Sequence, residues 1–181
     1  MRVISGSAKG TALFSLNGTS TRPTSDFVKE NLFNIIQNDV YDASFLDLFA
    51  GTGAIGIEAL SRGAASAVFV DVSQKCISLI ERNLEKTRLK EKAILIKADI
   101  TAAIRKLNGT KFDIIFLDPP YSKNYEETVL RTIVECDLLA EDSYIVFETA
   151  KTENAPSIEG LEIFREKIYS GTKLVFIKPV Y

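Results

Sequence analysis

The run Phe45-Leu46-Asp47-Leu48-Phe49-Ala50-Gly51-Thr52-Gly53-Ala54-Ile55-Gly56 passes from a short apolar segment through a glycine turn into a helical pattern. Gly51 and Gly53 let the backbone turn sharply and approach a ligand, as at the strand-turn-helix that opens nucleotide-binding α/β folds. Gly51 to Gly56 also spells GxGxxG, which alone fits a dinucleotide-binding dehydrogenase equally well. Asp47 separates the two readings. An acid at the strand end repels a pyrophosphate, but suits a ligand that carries a positive sulfonium and an ammonium group. That ligand is S-adenosylmethionine.

Downstream of this turn, apolar strand-like runs alternate with helical periodicity. The runs are Phe45 to Phe49, Ala67 to Val70, Ala93 to Ile96, Phe112 to Leu117, Ser143 to Phe147, Ile163 to Ile168 and Lys173 to Ile177. Helical patterns fall at Ala54 to Ser61, Gln74 to Thr87, Ile100 to Leu107 and Tyr125 to Glu135. The first four strands are short and apolar, as buried parallel strands require, and right-handed βαβ crossovers connect them naturally. No helix separates the last two strands, and Gly171 sits in the turn between them, so they pair as an antiparallel hairpin. The fold class is α/β: a Rossmann-like, class I methyltransferase core with a seven-stranded, mostly parallel sheet.

Upstream, Val3-Ile4 and Ala12-Leu13-Phe14 read as a small hairpin. Phe27, Val28, Leu32, Ile35 and Ile36 recur at helical spacing, which predicts an amphipathic helix from Ser25 to about Gln37 docked on the core. Residues 1–181 read as one methyltransferase domain, with residues 1–24 forming the N-terminal hairpin and loop and residues 25–181 the helix and core. Among 181 residues, 46% are hydrophobic and 25% charged, the composition of a globular domain. Cys76 and Cys136 lack any metal-ligand spacing and the chain has 0 histidines, so neither a metal site nor the commonest general base is expected. Cysteines of this kind and the lack of a long apolar run predict a cytoplasmic protein with no membrane segment, and a monomer is expected. A net charge of −2 disfavours a generally basic RNA binder, yet Met1 to Ser25 carries Arg2, Lys9 and Arg22 and no acid. That stretch is the candidate polyanion contact.

Asp71 ends the second strand and can accept hydrogen bonds from ribose hydroxyls, while Asp99, after the third, can accept from an adenine amino group. Both can equally cap the helices that follow. The fourth strand leads into Asp118-Pro119-Pro120-Tyr121 at the carboxyl edge of the sheet, where open α/β folds hold their ligands. An exocyclic base amine is a poor nucleophile, because its lone pair is delocalised into the ring. The Asp118 carboxylate and the Pro119 carbonyl can accept its two hydrogens and aim the lone pair at a methyl group, while Tyr121 stacks on the base. The target must be single-stranded or flipped from its stack.

Four blocks together resemble the RsmD-like family of bacterial small-subunit ribosomal RNA guanine-N2 methyltransferases. They are Arg2-Val3-Ile4-Ser5-Gly6 with Lys9-Gly10, Thr21-Arg22-Pro23-Thr24-Ser25-Asp26, Asp47 to Gly53 continuing through Ile57 to Ala64, and Asp118 to Tyr121. The resemblance implies cofactor binding at Asp47, Phe49, Gly51, Gly53, Asp71, Asp99 and Asp118, and catalysis at Asp118, Pro119 and Tyr121. It also implies RNA contact through Arg2, Lys9, Arg22, Thr24 and Tyr121, with guanine N2 as acceptor. Family members carry more basic residues after the Lys9-Gly10 equivalent, where Thr11-Ala12 follows here, and a basic residue where Phe27 stands. The alternatives are an adenine-N6 DNA or protein-amide methyltransferase, whose tetrads more often begin with asparagine, and a ribosome-assembly factor acting mainly by RNA binding.

Overall fold

A strand with apolar residues at every position has to be covered on both faces. The computed structural model, which describes residues 1–16, 26–119 and 123–180 without the side chains of 123 and 124, provides that cover. Its elements are α1 (Asp26–Ile35), β1 (Ser44–Leu48), α2 (Ala54–Ser61), β2 (Ser66–Asp71), α3 (Gln74–Thr87), β3 (Ala93–Lys97), α4 (Ile100–Lys106), β4 (Phe112–Leu117), α5 (Lys123–Glu135), β5 (Leu139–Ala150), β6 (Leu161–Ile168) and β7 (Thr172–Pro179). Phe45, Phe69, Ile114 and Val146 face one apolar cluster with side chains of α1, α2 and α3. Their neighbours Leu46, Val68, Ile115 and Ile145 face the other, with α4 and α5. The period of two along each strand thus divides the core into two layers.

The sheet has the order β3-β2-β1-β4-β5-β7-β6. The pairs from β3 through β5 are parallel, and β7 runs antiparallel between β5 and β6. The expected hairpin of the last two strands is present, with the later strand inside and the earlier one at the sheet edge. β5 begins at Leu139, four residues before the expected start, because Leu139 pairs with Phe112 ahead of a register irregularity. Among the described residues no helix is long and apolar enough to cross a membrane.

The expected N-terminal hairpin is present in minimal form. The predicted hairpin reduces to one antiparallel bridge, Arg2 to Ala12, flanked by Val3 N–H to Thr11 O at 3.0 Å and Leu13 N–H to Met1 O at 3.0 Å. What fixes this segment is α2. The Glu58 carboxylate accepts the Ile4 and Ser5 N–H groups at 2.8 and 3.0 Å. Ser61 Oγ accepts the Ala8 N–H at 3.0 Å and donates to Ser5 O at 2.6 Å. A Cβ at Gly6, where φ is +82°, would lie 1.7 Å from the Ser61 carbonyl oxygen, so only glycine allows this approach.

Glu58 also draws in α1. Its carboxylate lies 3.4 Å from Lys29 Nζ and 2.8 Å from Arg62 Nε, and Lys29 and Glu58 are each 0% exposed. Lys29 Nζ further donates to Arg2 O at 2.5 Å. Burial pushes the Lys29 pKa down, and the neighbouring Glu58 and Asp26 carboxylates oppose that shift. Removing one member of a buried pair strands the other charge, so Glu58→Ala should lower stability by about 3–5 kcal/mol. Chemical denaturation checks this, and adding Lys29→Met to Glu58→Ala should recover part of the loss.

Candidate active site

Chain connections leave β1 toward β2 and β4 toward β5, so the strand order reverses between β1 and β4 and opens a crevice beyond their carboxyl ends. Leu48 pairs with both Val70 and Leu117, and Leu117 pairs with Phe147. One residue further along each strand, Asp71, Phe49, Asp118 and Glu148 therefore stand side by side across β2, β1, β4 and β5. Three of the four are acids.

At the mouth of this crevice the glycine turn is held by carboxylates. Asp47 Oδ2 accepts the Gly56 N–H of the first turn of α2 at 2.9 Å, and Asp71 Oδ2 accepts the Gly51 N–H at 2.9 Å. Gly53 N–H is bonded to Ala50 O at 2.7 Å. In dinucleotide-binding folds amides of this turn face a pyrophosphate; here they already answer to carboxylates. Gly51 and Gly53 sit at φ of +56° and +76°, and Phe49 at +61°, an unusual conformation for a bulky residue. Backbone strain of that kind concentrates at ligand-binding turns.

Burial raises the Asp47 carboxyl to about 7, its bond from Gly56 N–H opposing the shift and nearby Asp71 adding to it. Asp118 is raised to about 8, first by burial and then by the charges of Glu148 and Asp47. Three carboxylates thus share one poorly solvated region, an arrangement that disfavours anions and favours a cation. Pro119, the next residue, is buried.

Asp99 is held differently. Its Oδ1 caps α4, accepting the Thr101 and Ala102 N–H groups at 3.0 and 3.2 Å and the Thr101 hydroxyl at 2.6 Å. Its Oδ2 accepts the Tyr125 hydroxyl at 3.1 Å, and the Tyr125 ring meets Phe49 edge-on at 5.9 Å. Asp71 does not cap α3, a role taken by Ser73; its Oδ1 accepts the Ser73 N–H at 2.8 Å. Arg2 and Lys9 lie by the C-terminal turn of α2, at the other end of that helix from the glycine turn. Arg22, Thr24 and Tyr121 lie outside the described residues. Glu148 and Tyr125 join the site without having been anticipated. Glu148 carries a readable signal, since it follows the apolar run Tyr144 to Phe147 just as Asp118 follows Phe112 to Leu117.

A concavity of about 600 Å³ lies at the opposite edge of the sheet, lined by Ile36, Asp39, Tyr144, Phe164, Arg165 and Phe176 among others. Its Asp39 accepts the Tyr144 hydroxyl at 2.9 Å, and it contains none of the strand-end acids.

A family model described as "Conserved hypothetical protein 95" matches residues 1–178. The chain is 41% identical over 181 residues to "Putative rRNA methyltransferase YlbH" of Bacillus subtilis, covering 98% of each protein. It is 31% identical over 169 residues to "Ribosomal RNA small subunit methyltransferase D" of Haemophilus influenzae, covering 92% of this chain and 88% of that one. Among solved structures, "Putative methyltransferase yhhF from Escherichia coli" superposes with a TM-score of 0.88 at 29% identity, over 99% of this chain and 97% of that one.

The raised carboxyls make stability depend on pH. Asp47 and Asp118 keep protons in the folded chain at pH values where the unfolded chain, with aspartates near 4, has released them. Stability from this source is present at low pH and is lost as pH rises toward about 7 and 8. The melting temperature of the ligand-free protein should therefore fall across that window and level off above it. Asp47→Asn, whose amide oxygen can still accept the Gly56 N–H, should flatten the lower part of that slope in a thermal melt series.

Proposed function

Because this chain belongs to the conserved hypothetical protein 95 family, we propose that it transfers a methyl group from S-adenosylmethionine to the exocyclic N2 amine of a guanine in small-subunit ribosomal RNA. Residues 1–181 act as one catalytic unit. The observation that carries this reading is the treatment of the glycine turn, whose amides bond Asp47 and Asp71 in place of a phosphate. Such a turn suits a nucleoside that bears positive charge beside its ribose. When bound, S-adenosylmethionine supplies an electrophilic methyl group carried on a sulfonium. The names of the Bacillus and Haemophilus relatives support ribosomal RNA as the acceptor.

Asp47 and the backbone of Gly51 and Gly53 shape the cofactor end of the crevice, and Asp71 stands where a ribose is held. Phe49 and Tyr125 form an apolar wall next to them. Asp118 and the Pro119 carbonyl accept the two hydrogens of the target amine, which turns the nitrogen lone pair toward the methyl carbon. As the nitrogen took the methyl group, with S-adenosylhomocysteine as leaving group, the ionised Asp118 carboxylate would stabilise the positive charge and could take the proton that the amine then releases. Positive charge in the crevice brings the Asp118 pKa down from about 8 and favours that ionised form at neutral pH. Tyr121 stacks on the base, and Arg22 and Thr24 hold the RNA backbone on the approach.

Transfer of labelled methyl groups to unmodified small ribosomal subunits, naked ribosomal RNA and duplex DNA, followed by nucleoside analysis, tests the whole reading. Label in N2-methylguanosine is the expected result; label in methyladenine or protein would transfer the assignment to another acceptor class. Asp118→Ala should lower the transfer rate by about 10²–10³-fold, by analogy with loss of one transition-state hydrogen bond. Its fold should survive, because the substitution removes a carboxyl that burial disfavours. Near-normal transfer by that variant would rule out the amine-positioning role.

A further inference from the structure

The acids at the strand ends create a difficulty for an RNA enzyme. The strand ends place Asp71, Asp118 and Glu148 around the crevice in which the base must react, where their ionised forms repel phosphates, and the chain as a whole carries a net charge of −2. The polyanion has to be held on a separate cationic surface within reach of the crevice. The exposed face of α3 has the required character. Lys75, Arg82 and Lys86 are exposed and fall on one stripe of this helix, spaced seven and four residues apart. The acids Glu81 and Glu85 lie on the neighbouring stripe, where Lys90 bonds both at 2.8 Å. None of the ion pairs among the described residues uses Arg82 or Lys86.

Both of these cations converge on Phe14. The Arg82 guanidinium carbon and Lys86 Nζ each lie 4.4 Å from the centre of its ring, which is itself 38% exposed. The backbone of Phe14 is fixed from below by Asn83, whose Oδ1 accepts its N–H at 2.7 Å and whose Nδ2 donates to its carbonyl at 3.2 Å. The same Nδ2 donates to Thr52 O at 2.9 Å, within the glycine turn. Like charges four residues apart on a helix repel each other. Here they are gathered over one aromatic ring at a fixed position relative to the cofactor turn, where an incoming phosphate would relieve the repulsion. The stretch from Met1 to Ser25 that carries Phe14 contributes no acid.

We propose that Phe14, Arg82 and Lys86 form an RNA-backbone contact that anchors the substrate beside the crevice, with Asn83 holding this contact in register with the cofactor turn. This surface rests on the ribosomal RNA reading above and extends it to α3. The paired variant Arg82→Gln with Lys86→Gln changes only exposed side chains of one helix. It should bind unmodified small-subunit ribosomal RNA roughly tenfold more weakly at 0.1 M salt, and the slope of log affinity against log salt should shrink by about 1.4–1.8. KM for RNA should rise, while kcat at saturating RNA and the affinity for S-adenosylhomocysteine stay at wild-type values. Phe14→Leu removes no charge, so it should weaken RNA binding without altering the salt slope.

If the wild-type protein methylates RNA and the paired variant keeps its KM and salt slope, the α3 contact is wrong and the functional reading stands. If the variant loses activity only on assembled subunits and binds naked RNA normally, the surface meets ribosomal protein, which also overturns the proposal. If wild-type protein places no label in RNA, the functional reading fails first and takes the α3 contact with it.

Discussion

Parallel strands paired in register finish level with one another, and whatever residue follows the last paired position is delivered to the same line. In this protein that rule brings Asp71, Phe49, Asp118 and Glu148 together across four strands, although they lie as far apart as residues 49 and 148 in the chain. The hydrophobic sheet behind them supplies the low dielectric that raises the carboxyls of Asp47 and Asp118. Site geometry and site electrostatics thus share one origin. A one-residue slip of β4 against β1 would turn Asp118 to the opposite face of the sheet and dismantle both.

Much of this was legible in the amino-acid order because the signals were local. Apolar runs of four to six residues marked β1, β2, β3 and β4, and the glycine turn after Asp47 and the tetrad after Leu117 pointed to the carboxyl ends of β1 and β4. Gly171 revealed the final hairpin. What escaped depended on partners distant in sequence. Glu58 reads as an ordinary helix glutamate until Ile4 and Ser5, more than fifty positions earlier, are found donating to it. The anchoring of the N-terminal hairpin was hidden for the same reason: beyond its single bridge, Ile4, Ser5 and Ala8 bond α2 and Phe14 bonds α3. Asp99 allowed two local readings, ligand acceptor and helix cap, and its Oδ1 performs the second.

Two tethers join the N-terminal segment to the core. At one end Glu58 and Ser61 hold Ile4, Ser5 and Ala8 against α2, and at the other Asn83 holds Phe14 against α3. With the Lys29 bond to Arg2 O, the segment therefore reaches all three helices that cover one face of the sheet. It ties Lys29 of α1, through Glu58, to a strap that ends beside the glycine turn. Buried polar networks of this type are costly when incomplete and specific when complete, and among the described residues Glu58, Lys29 and Asn83 all have partners.

The position of β7 has a consequence for the order in which the molecule can be made. β6 joins the sheet only through β7, and the β5 edge from Ile145 to Ala150 is likewise satisfied by β7. A nascent chain that has emerged as far as Ile168 thus holds an open edge on β5 and a β6 segment that cannot reach it in the native arrangement. Threading of residues 172–179 between them is what seals the sheet, so this half of the fold closes after synthesis of that stretch and not progressively as the ribosome delivers it.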